Sequence, residues 1–171
     1  TYLLEAIERI SNPEIKLLIV GPIDKHDKEL FESKFRKFEK EGKLVYYPWK
    51  DISDLPSLLF YAKLGVSPIL RNQQHESGVA NKIFQYMLLE KAILVSDCQP
   101  QVDIIKECQC GLYYQDRNID DLVEKILWCY LNTDILAEMG RKGKLAILNK
   151  YNSDVQFQPV LEFYNNLESL G

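Results

Sequence analysis

The 171 residues carry 21 Lys+Arg against 25 Asp+Glu, a formal net charge of −4, so no global positive field exists to hold nucleic acid or an anionic bilayer. A chain of this size forms one domain with a core of its own and needs no disulfide or metal staple. The four cysteines lie in apolar or helical segments without zinc or redox spacing and are read as reduced, buried thiols; the two histidines, His26 and His75, stand too far apart for a metal site. No run of ~18 apolar residues and no signal-like start occurs, which gives the expectation of a soluble, cytoplasmic segment and leaves membrane attachment of a longer parent open.

Leu3, Leu4, Ile7 and Ile10 recur at three and four positions and predict a first helix, stopped by Ser11-Asn12-Pro13. Ile15 to Val20 is a near-continuous aliphatic run ended by Gly21-Pro22, the pattern of a strand covered on both faces. Asp27 to Lys40 predicts a second helix with Leu30, Phe31, Phe35 and Phe38 on its apolar face and Gly42 beyond its end. Leu44 to Tyr47 is the next strand, broken by Pro48 and Trp49. A short helix over Leu55 to Ala62 follows, with Pro56 in its first turn, and Leu64 to Leu70 is a third strand.

The stretch from Gln73 to Cys98 then reads as loop, helix, strand. It holds a polar loop with Gly78, a helical repeat of Ile83, Phe84, Met87 and Leu88, and the β-branched run Ala92 to Val95. A brief helix over Gln101 to Lys106, a strand over Gly111 to Tyr114, and a helix over Ile119 to Leu131 capped by Asn118 come next, before two further helices, Ile135 to Tyr151 and Val155 to Leu167. Short strands alternating with helices predict an α/β fold, a Rossmann-like open parallel sheet with helices on both faces. The chain opens on a helix where such sheets open on a central strand, so the first strand is expected to be missing from it and the whole to be a piece of a longer protein; a substitute strand or a partner chain is then expected at the gap.

In an open parallel sheet, anions sit where a loop enters a helix N-terminus, because free N–H groups and the helix dipole point outward there. Lys82 stands in the first helical turn, where a cation opposes the dipole, and a diphosphate at that end would remove the conflict; the bland alternative is a solvated lysine. Gly78 suits either close approach of a ligand to the backbone or a positive φ, and would leave the N–H groups of Val79, Ala80 and Asn81 facing phosphate. His75 and Glu76 are candidates for sugar hydroxyls, and Arg71 for phosphate or for a neighbouring acid. Asp97, Asp103 and Glu107 are placed at the same edge as the loop and are not ranked.

The order LLIVG, KLVYYPW, VSPIL, GVANKIFQYMLLEKAILVSD, DIIKECQCGLYY, MGRKGK and KYN resembles the C-terminal domain of retaining glycosyltransferases of the GT-B fold, family 4 (group 1). The most specific part, Asn81-Lys82-Ile83-Phe84-Gln85-Tyr86-Met87, is similar to the Pro-Asn-Lys-Leu-Phe-Glu-Tyr-Met run of surface-polysaccharide transferases. The resemblance implies the donor-binding domain of an enzyme that moves a sugar from a UDP-, GDP- or ADP-sugar to a glycan or lipid-linked acceptor, in surface or capsular polysaccharide synthesis at the inner face of the membrane. It implies no further cofactor, and an N-terminal domain that holds the acceptor. It places Glu76, Gly78, Val79, Ala80, Asn81 and Lys82 beside the sugar and diphosphate, Gln85 beside the ribose, and Pro48 and Trp49 beside the base. Where the family commonly has two glutamates eight positions apart, this chain has Ser77 and Gln85, and Glu90 replaces the usual glycine at the helix end. A catalytic side chain is not assigned, and the piece alone is expected to be inactive. A non-catalytic nucleotide-sugar-binding module and a sugar-nucleotide epimerase of the same architecture stay open as alternatives.

Overall fold

The computed structural model of the chain describes residues 2–23, 28–48 and 50–168. Helix α1 (Tyr2–Arg9) leads to strand β1 (Leu17–Val20), α2 (Lys28–Lys40) and β2 (Leu44–Tyr47). A 3-10 turn over Ile52–Asp54 precedes α3 (Leu55–Leu59) and β3 (Leu64–Ser67), and a second one over His75–Ser77 precedes α4 (Asn81–Leu88) and β4 (Ala92–Ser96). Then come α5 (Gln99–Cys108), β5 (Gly111–Tyr114), α6 (Ile119–Leu131), α7 (Thr133–Asn149) and α8 (Ser153–Glu168). The alternation is the one expected, and about half of the bounds shift, by one to three residues. The third strand ends at Ser67 because Pro68 cannot donate to a ladder. Helix α5 starts earlier than its apolar spacing indicates, since Pro100 is tolerated in a first turn whose N–H groups have no intrahelical partner.

All strand pairs are parallel. β1 pairs with β2, and β3–β4–β5 form a second ladder, with no hydrogen-bonded strand joining the two among the described residues. The sheet is thus discontinuous, and no substitute strand stands at the gap among those residues. One apolar core nevertheless serves both ladders: Leu4, Ala6, Ile7 and Ile10 of the α1 region pack with Leu17, Phe35, Phe38 and Leu44 on one side and with Leu94, Tyr114, Leu122 and Ile126 on the other.

Strand β4 is buried along its whole length and shows why helices cover both faces. Side chains alternate along a strand, so Leu94 enters the core under α1 and α6, while Ile93 and Val95 enter a second core with Ile83 and Met87 of α4, Val102 and Ile105 of α5, and Ile147 of α7. Close approaches lock these layers. A Cβ on Gly65 would lie 2.4 Å from the Tyr86 ring, so the bare backbone of β3 is the seat of that ring; a Cβ on Gly140 of α7 would lie 2.1 Å from the Glu90 carbonyl oxygen at the end of α4. That end is a left-handed cap in which Glu90 has φ 55° and the N–H groups of Glu90 and Lys91 donate to the carbonyls of Met87 and Tyr86. Helix α8 is exposed from Ser153 to Asn165.

Candidate functional site

The carboxyl edge of β3, β4 and β5 carries the connections 68–80, 97–98 and 115–118. The first is tied down at its root. Ser96 Oγ donates to the Ile69 carbonyl, and Ser67 Oγ donates to Gln101 Oε1 at 2.7 Å. Gln101 is fully buried, and its Nε2 has no hydrogen-bond partner. His75 is bonded within its own loop: its Nδ1 donates to the Leu70 carbonyl at 2.6 Å, and its backbone N–H donates to Asn72 Oδ1 at 2.8 Å. Ser77 Oγ donates to the Gln74 carbonyl at 2.6 Å.

Glu76 does not stand free for a sugar. Its Oε1 accepts from Arg71 Nε at 2.6 Å and its Oε2 from the Gln99 N–H at 3.0 Å, so it caps α5 and holds its own loop closed. The bond from Arg71 and the capping N–H keep its carboxyl below the usual carboxylate range. The guanidinium of Arg71 also lies 3.6 Å from Asp97 Oδ2, and the Arg71 backbone N–H donates to Asp116 Oδ2 at 3.2 Å. Asp116 in turn donates its N–H to Asp97 Oδ1 at 3.0 Å, while its own Oδ1 is buried without a partner. Of the two roles open to Arg71, pairing with acids is the one seen. Sequence reasoning named Asp97 without ranking it and passed over Asp116 and Gln101. The position of Asp116 two residues after β5 is the available signal for the first, and nothing local marks Gln101.

Glu107 corrects an expectation. It lies at the last turn of α5, away from the loop, where Lys150 Nζ and Tyr151 Oη donate to it, the latter at 2.9 Å. Asp103 accepts from Gln99 Nε2 at 2.6 Å and so stays near the start of α5.

Beyond Glu76 the chain is extended. Gly78 has φ −170° and ψ 175°, so the positive-φ option is not used, and a Cβ there would meet nothing within 4 Å: the glycine leaves open space. Val79 packs on the Ile83–Met87 core and fixes where the chain turns. Ala80 is the N-cap residue of α4 and offers no side-chain hydrogen bond. The contrast with neighbouring helices is direct, since Glu76 caps α5 and Asn118 caps α6. At α4, the N–H groups of Asn81 and Lys82 carry no partner among the described residues, while that of Ile83 bonds the Ala80 carbonyl at 2.9 Å. Lys82 is half-buried, and no carboxylate pairs with it among the described residues. Burial pushes its pKa down. Gln85, three positions on and on the same side of the helix, keeps its side-chain amide unbonded among the described residues. An uncapped helix end, an unpaired lysine and an amide one turn further are an arrangement chemically able to hold an anion, with a group able to hydrogen-bond a hydroxyl beside it.

The structure brings together Gly78, Val79, Ala80, Asn81, Lys82 and Gln85 at the start of α4. Pro48 is exposed at the carboxyl end of β2, in the other ladder, and Trp49 lies outside the described residues. Among the described residues there is no cluster of metal-binding side chains, and no helix is long and apolar enough to cross a membrane.

Several solved structures share this fold. Sucrose-phosphate synthase from Thermosynechococcus elongatus superposes with TM-score 0.81 at 14% identity, covering 99% of this chain and 42% of that one. A glycosyltransferase from Rickettsia africae gives 0.79 at 17%, covering 96% of this chain and 43% of the other. Anabaena Alr3699/HepE in complex with UDP gives 0.77 at 14%, covering 96% and 44%. This chain therefore spans less than half the length of these proteins. No curated protein matches the sequence. The family described as glycosyl transferases group 1 matches residues 1–146, and the chain, with its Rossmann-like GT-B architecture, belongs to that family.

Proposed function

We propose that this chain is the donor-binding domain of a retaining glycosyltransferase, a hexosyltransferase of surface or capsular glycan synthesis that works at the inner face of the membrane. It takes a nucleotide-diphosphate sugar, with the diphosphate at the start of α4. The observation that carries this reading is the unpaired, half-buried Lys82 beside the uncapped N–H groups of Asn81 and Lys82. As the sugar–phosphate bond breaks, negative charge collects on the leaving diphosphate, and preorganised N–H groups with one ammonium stabilise that charge where it develops. Gln85 receives ribose hydroxyls, accepting without charge where the family commonly has a glutamate. The nucleotide seen in Alr3699/HepE supports a uridine nucleotide as the first to try.

The acceptor belongs to a further domain. Helix α8 leaves Phe157, Leu161 and Tyr164 exposed at 53 to 61%, an apolar surface suited to covering by another part of a longer protein. On this reading the 171-residue chain binds donor and transfers nothing. Calorimetric titration with UDP-, GDP- and ADP-sugars tests it: saturable binding of one of them is expected, and absence of binding to all would sink the assignment. A second reading, a binding module without turnover, is favoured by one observation. Ser77 and Gln85 are not acids, and the adjacent Glu76 is committed to Arg71 and Gln99. Gln85→Glu in the full-length protein separates the two, since a gain in transfer rate fits an enzyme and a persistently silent variant fits the module.

A further inference from the structure

In a parallel α/β layer each helix returns antiparallel to its strands, so the helix ends gather at the amino edge of the sheet, opposite the donor loop. At that edge α3 is followed by two consecutive aromatic residues, Phe60 and Tyr61, which are 71% and 83% exposed. Their rings meet each other edge to face with centroids 5.1 Å apart, and no other ring partners them among the described residues. Leu88, the last residue of α4, is 50% exposed. Lys91, three residues on, joins the two connections by donating from Nζ to the Phe60 carbonyl at 3.1 Å. Lys63 lies near enough for its charge to act on Lys91. Neither lysine pairs with a carboxylate among the described residues, whereas the nearby Lys144 is paired with Glu90 and Arg141 with Glu138. The same edge also exposes Leu131, at 77%, beyond Cys129, which packs on Ala92 at the start of β4.

Two aromatic side chains and a leucine standing in water beside two unpaired ammonium groups make a small amphipathic surface, not a random scatter. Aromatic rings of this kind settle at the headgroup level of a bilayer, and lysines next to them meet lipid phosphates. The net charge of −4 disfavours approach of the chain as a whole, but at physiological ionic strength charges beyond ~8 Å are screened, so the local pair of lysines decides the encounter. We infer that the amino edge of the sheet, through Phe60, Tyr61, Leu88, Lys63 and Lys91, is a docking surface for an anionic lipid bilayer. It leaves the carboxyl edge, with Lys82, pointing away from the lipid and open to the aqueous side. The inference does not depend on what the Lys82 site binds.

Co-sedimentation of the 171-residue chain with vesicles tests it. Binding is expected to vesicles of phosphatidylcholine with about one third phosphatidylglycerol, much less to pure phosphatidylcholine, and to fall as salt is raised. Lys63→Glu with Lys91→Glu is expected to weaken partition about tenfold or more, and Phe60→Ser with Tyr61→Ser to do the same with the thermal midpoint held. As a gain-of-signal check, Phe60→Trp is expected to show quenching by brominated lipid only with the anionic vesicles. Absence of partition, binding equal on neutral and anionic vesicles, or partition unchanged in both double variants would overturn the inference. So would self-association in the absence of vesicles that is abolished by Phe60→Ser with Tyr61→Ser, since the surface would then belong to a second copy.

Discussion

Gly140 lies inside α7, and helix propensity alone says that alanine there should stabilise by ~1 kcal/mol. The packing says the opposite. A Cβ at this position would stand 2.1 Å from the Glu90 carbonyl oxygen and 2.7 Å from its carbon, where an ordinary carbon–oxygen contact is about 3.3 Å or more. Both atoms are backbone, and they belong to a left-handed cap fixed by two hydrogen bonds, so no side chain can swing aside. The helix must move by about 1 Å instead, and overpacking of this kind costs up to ~3 kcal/mol. After the propensity gain, Gly140→Ala is expected to lose about 2 kcal/mol, or about 4–8 °C in Tm for a chain of this size. Gly143→Ala is the internal control: its Cβ would meet Cys110 Cβ at 3.2 Å and Met87 Cγ at 3.3 Å, neighbours that can yield by tenths of an ångström. That variant should be neutral or gain up to ~1 kcal/mol. Thermal and urea unfolding of both decides the matter. A Gly140→Ala chain as stable as the wild type or more so would mean that α7 does not press on the end of α4 as described, and the positioning of the donor helix would need another account.

Burial lowers the pKa of Lys82 in the free chain, and a bound diphosphate would raise it; donor affinity should therefore be constant below the lowered value and decline as pH rises through it, a slope that Lys82→Arg removes. The carboxyl of Glu76 is held low, so its contribution to stability is present above the ordinary carboxylate range and is lost as pH falls through its lowered value; Glu76→Gln should flatten that acid limb in pH-dependent melting. Burial raises all four thiols, those of Cys110 and Cys129 to about 12 and about 11, but Cys108 is only half-buried where the other three are buried. A thiol reagent near pH 8 should label Cys108 in the native chain and leave the other three until unfolding, and labelling of Cys110 or Cys129 at a similar rate would contradict the packing of Cys110 between α4 and α5 or of Cys129 against Ala92 and Leu136.

Local signals carried the fold a long way. The aliphatic run at Ala92 to Val95 and the helical repeat from Ile83 to Met87 are both found where their periodicity puts them, because burial on both faces of β4 and one face of α4 leaves that imprint. Lys82 is found in the first turn of α4, where the order of residues puts it, and a cation there is a local oddity that order alone displays; its role is the proposal above. What could not be read was set by distance along the chain. Glu76 finds its second partner, the N–H of Gln99, 23 residues away, and that contact makes it a cap of α5, a role no local pattern marks. Asp116 meets Arg71 across 45 residues, and Glu107 is drawn to Lys150 across 43. The left-handed residue Glu90, where glycine is usual, was visible as an oddity, but its role as the floor under Gly140 depended on how α7 lies.

The central claim is that Lys82 holds the diphosphate of a sugar nucleotide at the start of α4. Isothermal titration of wild type and Lys82→Ala with the best-bound nucleotide sugar, with Lys142→Ala as a surface control, addresses it directly. Loss of a charge-assisted bond to phosphate is worth ~1.5–3 kcal/mol, so the Lys82 variant should bind about 10- to 100-fold more weakly while the control is unchanged. An affinity for Lys82→Ala within about twofold of the wild type, less than ~0.5 kcal/mol, would contradict it.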